Sequence, residues 1–252
     1  MKIIAIIPAR SGSKRLPDKN ILDLGGHPLM AHTIIPAVAS QLFADIIVTS
    51  DSDKYLEIAK KYGAIPIKRP MELSQGDITG VEWIEHTLIE MQKQGKEYNV
   101  FCILRPTNPF RTAYTLQKAC FKFENLSGMN YARTDFSMRA VEKCKQHPCK
   151  MWTLYGSKII PIFGSPEMKL YTQPYHKLSP VLVQNGSLEM GFVETIFDRK
   201  SITETVIYPF FTGDYEGFDI NNEDDYWTAQ FIYEKIKKKE TTKLWSRTRS
   251  LK

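Results

Sequence analysis

Residues 3–20 read IIAIIPARSGSKRLPDKN, and this stretch decides the expected fold. An unbroken apolar run from Ile3 to Ile7 ends at Pro8, which is the pattern of a buried parallel strand. The loop that follows contains the small residues Ser11, Gly12 and Ser13. It also carries four cations, Arg10, Lys14, Arg15 and Lys19. Open parallel sheets bind ligands beyond the carboxyl ends of their strands, so the loop predicts a site for a phosphate-bearing anion. A solvated basic loop after an edge strand is the alternative.

The composition is that of an ordinary globular protein. A chain of 252 residues with 42% hydrophobic residues is long enough for one large α/β domain or two small ones. The net charge of +6 is unevenly distributed, because from residue 235 onward eight cations face the single acid Glu240. No nucleic-acid recognition motif accompanies this basic end, so we expect no nucleic-acid partner.

The cysteines and the N-terminus indicate the compartment. The four cysteines show neither metal-ligand spacing nor a dense disulfide pattern: Cys102, Cys120, Cys144 and Cys149. The N-terminus lacks the features of a signal peptide, and no window approaches the length that spans a bilayer. We therefore expect cytoplasmic localisation and no membrane partner.

Strands and helices alternate after the opening stretch. Further strands are predicted over residues 45–50, 64–67 and 100–104, and helices over about 53–62, 81–94 and 112–123. An earlier helix is predicted to open at His27, with Met30, Ile34 and Val38 packed on the sheet. Ser52 or Asp53 is expected to cap the second helix. This alternation predicts an α/β fold with a Rossmann-like, mainly parallel sheet.

A single domain over residues 1–252 is the simpler interpretation, because we find no internal repeat and no low-complexity linker. The rhythm changes near residue 130, where strands are predicted over 151–163, 181–190 and 205–211 without long helices between all of them. Prolines and aromatics between residues 145 and 180 indicate an excursion from the main sheet. We therefore predict an inserted arm at about residues 140–190, and a last helix over about 223–238.

Several common motifs are missing from the sequence. Neither a P-loop nor a dinucleotide-binding glycine motif follows the first strand. A cationic loop instead favours a nucleoside triphosphate that is held by side chains and a metal ion. The five histidines are scattered without metal-ligand spacing, and we interpret them as structural: His27, His32, His86, His147 and His176.

Residues 7–20 carry a specific resemblance to a known family. The segment IPARSGSKRLPDKN resembles the signature loop of the acylneuraminate cytidylyltransferases, the CMP-sialic acid synthetase family. Weaker matches follow in the same order over most of the chain: Arg69-Pro70, Glu72-Leu73, Pro106-Thr107, Pro109, Arg111, His147-Pro148, Asn185-Gly186 and Asp219-Ile220. The resemblance implies transfer of CMP from CTP to a nonulosonic (sialic acid-like) 2-keto-3-deoxy sugar acid with release of pyrophosphate. It also implies Mg²⁺ as the cofactor and a homodimer whose contact is the inserted arm.

The resemblance implies the following site residues. The expected CTP-binding residues are Arg10, Ser11, Gly12, Ser13, Lys19, Asn20, Arg69, Thr79 and Arg105. The expected catalytic residues are Arg10, Lys19 and Asp219, and the expected metal ligands are Asp219 and Asn221. Sugar binding is expected at Lys150, Gln184 and Asn185. For Asp219 the alternative is a carboxylate that caps the last helix.

Three positions depart from the family pattern. Asn221 stands where the family often has the second aspartate of Asp-x-Asp, and an amide oxygen can ligate a hard cation but adds no charge. Arg105 replaces the glutamine that commonly precedes Pro-Thr, and Tyr171-Thr172-Gln173 is the nearest stretch to the family's Arg-Arg-Gln. Two alternatives therefore stay open: a related nucleotidyltransferase with another nucleotide or acid acceptor, and a nucleotide-binding subunit without turnover.

Overall fold

A computed structural model describes residues 1–75, 78–129 and 135–249 of the chain. The strands are β1 (Ile3–Pro8), β2 (Asp23–Leu24), β3 (His27–Pro28), β4 (Asp45–Ser50), β5 (Ile65–Lys68), β6 (Val100–Ile103), β7 (Phe136–Lys143), β8 (Trp152–Tyr155), β9 (Lys158–Pro161), β10 (Leu182–Phe192) and β11 (Val206–Phe211). The α-helices are α1 (Ala31–Ser40), α2 (Asp53–Lys61), α3 (Gly80–Gln92), α4 (Ala113–Met129), α5 (Val193–Arg199) and α6 (Glu223–Arg249).

A seven-stranded sheet in the order β11-β7-β10-β6-β1-β4-β5 organises the fold. β1 pairs in parallel with both β4 and β6, and β4 pairs in parallel with β5. β10 pairs antiparallel with β6. The prediction of an α/β fold with a mainly parallel sheet is confirmed. The carboxyl ends of β1, β4, β5 and β6 consequently meet at one edge, where ligands bind in folds of this kind.

Successive side chains of β1 bury opposite faces of this sheet. Ile4 and Ile6 belong to a buried cluster with Trp83 and Ile84 of α3. Ile7 belongs to a second cluster, on the other face, that includes residues of α1, α2 and α4. Because β1 is buried on both faces, it reads as a continuous apolar run rather than an alternating one.

The prediction that a helix opens at His27 is wrong. His27–Pro28 is the strand β3, which pairs antiparallel with β2, and α1 begins at Ala31. The turn between β2 and β3 uses Gly25 and Gly26 at φ +64° and +90°, a conformation that glycine adopts without strain. A pair of glycines flanked by four extended residues therefore forms a hairpin where an N-terminal helical turn was expected.

Val38 does not face the sheet as predicted, since it is 44% exposed. Met30, which precedes the first residue of α1, and Ile34 and Ala37 within the helix form its buried stripe. A step of eight residues along an α-helix turns the side chain by about 80° from its starting direction, which takes Val38 off the stripe that Met30 begins.

Most of the other predicted elements are present, but β7 and α5 were not predicted, and α6 continues past the predicted end near residue 238. The strands expected over 45–50, 64–67 and 100–104 are β4, β5 and β6, each within a residue or two. The run 151–163 forms the hairpin β8–β9, and the last helix extends to Arg249. Ser52 caps α2, because its hydroxyl accepts a hydrogen bond from the Tyr55 N–H at 3.4 Å.

The chain divides into two compact units, Met1–Ala140 with Asn185–Lys252, and Val141–Gln184. The first contains the centre of the sheet and its helices. In the second, the Lys150 ammonium donates to the carbonyl oxygens of Tyr171 and Gln173, at 2.6 and 2.7 Å. The second unit overlaps the predicted arm at 140–190, and its part in dimerisation stays a prediction. Over the described ranges, no helix is both long and apolar enough to cross a membrane.

Candidate active site

A cavity of about 490 Å³ lies beyond the carboxyl ends of the central strands. Its lining comes from the end of β1 and the loop after it, the segment between β5 and α3, Trp83 of α3 and the loop after β6. Its most distinctive members are six cationic side chains, from Arg10, Lys14, Arg15, Lys19, Arg69 and Arg105. Among the described residues that line the cavity, none is a carboxylate. The cavity is therefore a site of strongly positive potential.

Two hydrogen bonds fold the loop after β1 around this cavity. The buried Asn20 donates from its amide to the carbonyl oxygen of Arg10 at 3.0 Å, which brings the two ends of the loop together. The Lys19 ammonium donates to the carbonyl oxygen of Ile220 at 2.8 Å. Lys19 therefore joins the cationic loop to the segment that carries Asp219.

The protonation of Lys19 is sensitive to its surroundings. Burial lowers the pKa of Lys19 below its ordinary value, and the nearby charges of Arg15 and Arg10 lower the pKa further. The negative charge of Asp219 acts in the opposite direction. An anionic ligand in the cavity would favour the charged form of Lys19 in the same way as Asp219 does.

Arg69 forms a rigid wall of the cavity. Its side chain is buried and donates from Nε to the Thr49 hydroxyl at 3.3 Å and from Nη2 to the Thr49 carbonyl at 3.0 Å. The guanidinium also lies over the ring of Trp83, 5.3 Å from its centroid. Burial lowers the pKa of Arg69 to about 10, so the group stays charged at neutral pH.

Arg105 is held in place from the neighbouring strand. Its Nη2 donates to Oε1 of Glu189 at 2.7 Å, while Oε2 of Glu189 pairs with Arg139 at 2.8 Å. Gly186 makes room for this arrangement, because a Cβ there would lie 3.0 Å from Cδ of Arg105. Beneath it, the buried Arg111 donates to the Arg105 carbonyl at 2.7 Å.

Asp219 has one oxygen bound and one free. Its Oδ2 accepts a hydrogen bond from the Asn221 amide at 2.7 Å, while Oδ1 is buried and has no hydrogen-bond partner among the described residues. Oδ1 of Asn221 accepts a hydrogen bond from Arg15 at 3.2 Å. The cap of α6 is instead made by Asn222, whose side-chain oxygen accepts the Asp225 N–H at 2.9 Å. A capping role therefore does not account for Asp219.

Some predicted CTP-binding residues lie outside the lining of the cavity. Ser11 donates from its N–H, at 2.8 Å, and from its hydroxyl to the carboxylate of Asp51. Gly12 provides a backbone turn at φ +66°. Thr79 is exposed and its hydroxyl donates to Glu82, while the neighbouring Ile78 lines the cavity. By contrast, Arg10, Ser13, Lys19, Asn20, Arg69 and Arg105 all line it, as predicted.

The predicted sugar-binding residues belong to both units of the chain. Lys150 lies in the smaller unit, where its ammonium is bound by the two carbonyls given above. Gln184 is an exposed residue of β10 at the end of that unit. Asn185 opens the return to the larger unit and donates to the Thr212 hydroxyl at 2.9 Å. Their role with a sugar stays a prediction.

Sequence reasoning missed three residues of the site: Trp83, Asp51 as a partner of the loop, and Glu189. Trp83 stood within a predicted helix, where an apolar residue indicates only a core position.

Outside residues 76–77, 130–134 and 250–252, no group of three or more His, Cys, Asp or Glu side chains is arranged to hold a metal ion. A metal at this site would therefore depend on few protein ligands.

A mainly parallel sheet with a cationic cavity beyond its carboxyl ends defines an α/β protein of the class that binds phosphate-bearing ligands at this edge. Residues 4–148 match the sequence model of the family described as cytidylyltransferase, and the chain belongs to that family. The family resemblance of the opening loop is thereby confirmed.

Two curated relatives illustrate the range of the family. The CMP-N,N'-diacetyllegionaminic acid synthase of Legionella pneumophila is 30% identical over 243 residues, which cover 93% of this chain and 97% of that protein. The N-acylneuraminate cytidylyltransferase of Escherichia coli is 44% identical over 125 residues, or 50% of this chain and 29% of that protein. The chain thus matches less than a third of the length of the second relative.

A solved structure shares the fold. The structure of CMP:2-keto-3-deoxy-manno-octonic acid synthetase complexed with CTP has a TM-score of 0.66 to this chain at 15% identity. The alignment covers 93% of this chain and 99% of that one.

Proposed function

We propose that this chain is a nucleotidyltransferase that transfers CMP from CTP to a nonulosonic, 2-keto-3-deoxy sugar acid and releases pyrophosphate. The observation that carries the proposal is the cavity with six cationic side chains at the carboxyl edge of the sheet. Such a cavity suits the clustered negative charges of a triphosphate. Family membership supports CTP as the donor, and the names of the Legionella pneumophila and Escherichia coli relatives support a nonulosonic acid as the acceptor.

In this reaction a hydroxyl oxygen of the sugar acid attacks the α-phosphorus of CTP. The new O–P bond forms as the bond from the α-phosphorus to the bridging oxygen breaks, pyrophosphate leaves with that electron pair, and the hydroxyl proton passes to solvent water. Negative charge grows on the leaving group, so fixed cations beside it stabilise the transition state more than the substrate. Arg10 and Lys19 supply this charge in our proposal, and Ser13 and Asn20 orient the phosphates.

We include Mg²⁺ as the cofactor. The chain's own donors fit a hard cation, because Asp219 presents a buried carboxylate oxygen without a hydrogen-bond partner in the described part of the chain. Asn221 would add an amide oxygen only by giving up its bond from Arg15. When bound, Mg²⁺ neutralises phosphate charge, and it commonly needs only one or two carboxylates besides the substrate's phosphates. A single carboxylate therefore suffices for this proposal.

A second candidate function rests on Arg105. An arginine that is fixed by Glu189 at 2.7 Å presents charge where the family commonly has an uncharged glutamine. It favours a related nucleotidyltransferase in which the nucleotide or the acid acceptor differs from the family's usual pair. The substrate panel described below separates this candidate from the first.

The proposal also includes a cytoplasmic homodimer. The smaller unit exposes large apolar side chains on and beside its hairpin, with Leu154 74%, Ile159 59% and Phe163 60% exposed. Exposed apolar side chains in this number are typical of a contact surface. The molar mass in solution, measured by sedimentation equilibrium, tests the dimer; the mass of a single chain at micromolar concentration would refute it.

A substrate panel tests the function. Purified protein with Mg²⁺ is offered CTP, UTP or ATP together with sialic-, legionaminic- or pseudaminic-type acids, and pyrophosphate is measured. We expect release only with CTP and one class of acid. Release with another nucleotide would favour the second candidate, and no release with any pair would refute transfer.

Arg10→Ala tests the cationic loop. The affinity of this variant for CTP should be about tenfold or more below that of the wild type, because charge-assisted hydrogen bonds to the phosphates are lost.

The pH dependence of CTP affinity tests the role of Lys19. Because burial lowers its pKa, Lys19 in the free protein loses its proton below the ordinary value of 10.5. CTP binds the protonated form, so affinity should begin to fall at a lower pH than it would for an ordinary lysine, whose pKa is about 10.4. Lys19→Arg should flatten this fall, since arginine keeps its charge. Equal pH profiles for the two proteins, measured by calorimetry, would contradict a phosphate contact by Lys19.

A further inference from the structure

The cationic loop between β1 and Lys19 has two residues in the left-handed region of backbone conformation, and one of them is not a glycine. Gly12 adopts φ +66° and Asp18 adopts φ +50°, both in the left-handed region. That region is unfavourable for a residue with a side chain, so Asp18 persists there only where its surroundings hold it. Between these two positions, Ser13, Lys14 and Arg15 line the cavity. The arrangement of these three residues depends on what fixes the ends of the loop.

Two side chains of one neighbouring segment contact those ends. At the first end, Asp51 accepts a hydrogen bond from the Ser11 N–H at 2.8 Å and another from the Ser11 hydroxyl. At the second end, the Tyr55 hydroxyl donates to Oδ1 of Asp18 at 2.9 Å. Asp51 and Tyr55 are four residues apart, where β4 passes into α2. The same short segment therefore supports both ends of the loop.

This supporting segment is itself firmly held. β4 is the parallel neighbour of β1, and their pairing continues into the loop, because the Ala9 N–H donates to the Thr49 carbonyl at 3.0 Å. Ser52 caps α2 through the Tyr55 N–H. Tyr55 is 1% exposed and belongs to the core that packs on β1. Its hydroxyl is thus presented from a fixed position.

We propose that Asp51 and Tyr55 are positioning residues that clamp the two ends of the cationic loop, and so keep Ser13, Lys14 and Arg15 arranged around the phosphates of the nucleotide. This inference rests on the proposed function for the identity of the ligand. The clamp itself is a property of the free protein. Leu16 between the two ends is 9% exposed and anchors the middle of the loop in the core.

The charge of Asp51 allows its positioning role to be separated from its electrostatic effect on CTP binding. Burial would raise the pKa of Asp51, but the hydrogen bonds from Ser11 and the charge of Arg69 lower it overall, so the group is ionised at neutral pH. A carboxylate this close to the cavity repels a triphosphate. On electrostatic grounds alone its removal should tighten CTP binding. If CTP binds more weakly after the Asp51 carboxylate is removed, the cause is therefore a changed arrangement of the cationic loop.

Two variants and two matched controls test the clamp. Tyr55→Phe removes only the hydroxyl that donates to Asp18. Asp51→Ala removes the carboxylate that accepts both hydrogen bonds from Ser11. Tyr62→Phe, at the far end of α2, loses a hydroxyl that contacts His27 at 3.0 Å. Asp53→Ala removes a carboxylate that pairs with Lys68 on the surface, at 2.6 Å. The measurements are amide hydrogen exchange of residues 12–16 in the free protein, CTP affinity by calorimetry, and melting temperature.

We expect both clamp variants to speed exchange in residues 12–16 and to weaken CTP binding, by about fivefold in Tyr55→Phe, which is the effect of one ordinary hydrogen bond. Both controls should match the wild type in exchange and affinity. Tyr55→Phe keeps the test decisive if Asp51→Ala does not fold. Wild-type exchange and affinity in Tyr55→Phe, or tighter binding by Asp51→Ala, would overturn the clamp. A wild-type protein that does not bind CTP would instead overturn the proposed function, while the exchange data would still decide the clamp.

Discussion

Asp219→Asn is expected to lower turnover with CTP and Mg²⁺ on the order of 10³-fold, because it removes the one carboxylate that we assign to the metal. The free Oδ1 is buried, and replacing the carboxylate by an amide leaves the shape of the site almost unchanged. Initial rates of pyrophosphate release measure the effect. The melting temperature should change little, since no capping bond of α6 depends on Asp219.

A second measurement separates metal binding from nucleotide binding in the same variant. Asp219 lies near Lys19 and contributes a negative charge to its surroundings. Without Mg²⁺, Asp219→Asn should therefore bind CTP at least as tightly as the wild type, while the gain in affinity that Mg²⁺ gives to the wild type should disappear. Asn221→Asp is the matched control, and it should strengthen the Mg²⁺ effect by adding charge. Full turnover in Asp219→Asn would show that the metal is held elsewhere.

Glu189→Gln is expected to cost about 2–3 kcal/mol of the free energy of unfolding, less than the loss of one partner of a fully buried ion pair because both arginines keep some contact with solvent. The Glu189 side chain is 4% exposed and pairs with both Arg105 and Arg139. Its loss leaves the Arg139 side chain, 19% exposed, without its carboxylate. Urea denaturation measures the cost, and the melting temperature should fall by about 10 °C.

Glu85→Gln is the control for this substitution. Glu85 pairs with Lys200 at 2.6 Å, but their side chains are 25% and 60% exposed. Solvent screens such a pair, and its loss should cost less than about 1 kcal/mol. If the two substitutions lower the free energy of unfolding equally, the ion pairs of Glu189 stabilise the protein no more than a surface pair does. In Glu189→Gln, Arg105 also loses its carboxylate partner, so the selectivity among nucleotides should decline along with stability.

The parts of the site that the sequence predicted are those with local patterns. The apolar run Ile3–Ile7 predicts β1 because five consecutive buried residues suit a strand that is covered on both faces of the sheet. The loop after it is cationic in the sequence and stays so in the fold. Arg69 and Arg105 each follow a predicted strand, and parallel pairing brings the ends of those strands together.

The parts that the sequence did not predict depend on contacts between distant residues. Ser11 meets Asp51 across 40 positions, and Arg105 meets Glu189 across 84. A lone Ser or Glu in the sequence indicates neither partner. Trp83 carries the pattern of a core residue, and only the fold places it under Arg69. Thr79 was expected to bind CTP, but its hydroxyl donates a hydrogen bond to Glu82 at the start of α3.

The six cations around the cavity have a cost for the protein without its ligand. Like charges around one cavity repel one another, and the folded chain retains that repulsion because the fold brings all six residues to the same site. The cationic site is thus a place where stability has been exchanged for function. Substitutions that neutralise these cations would be selected readily in a search for thermostable variants, and such a search would enrich inactive proteins unless turnover were screened as well.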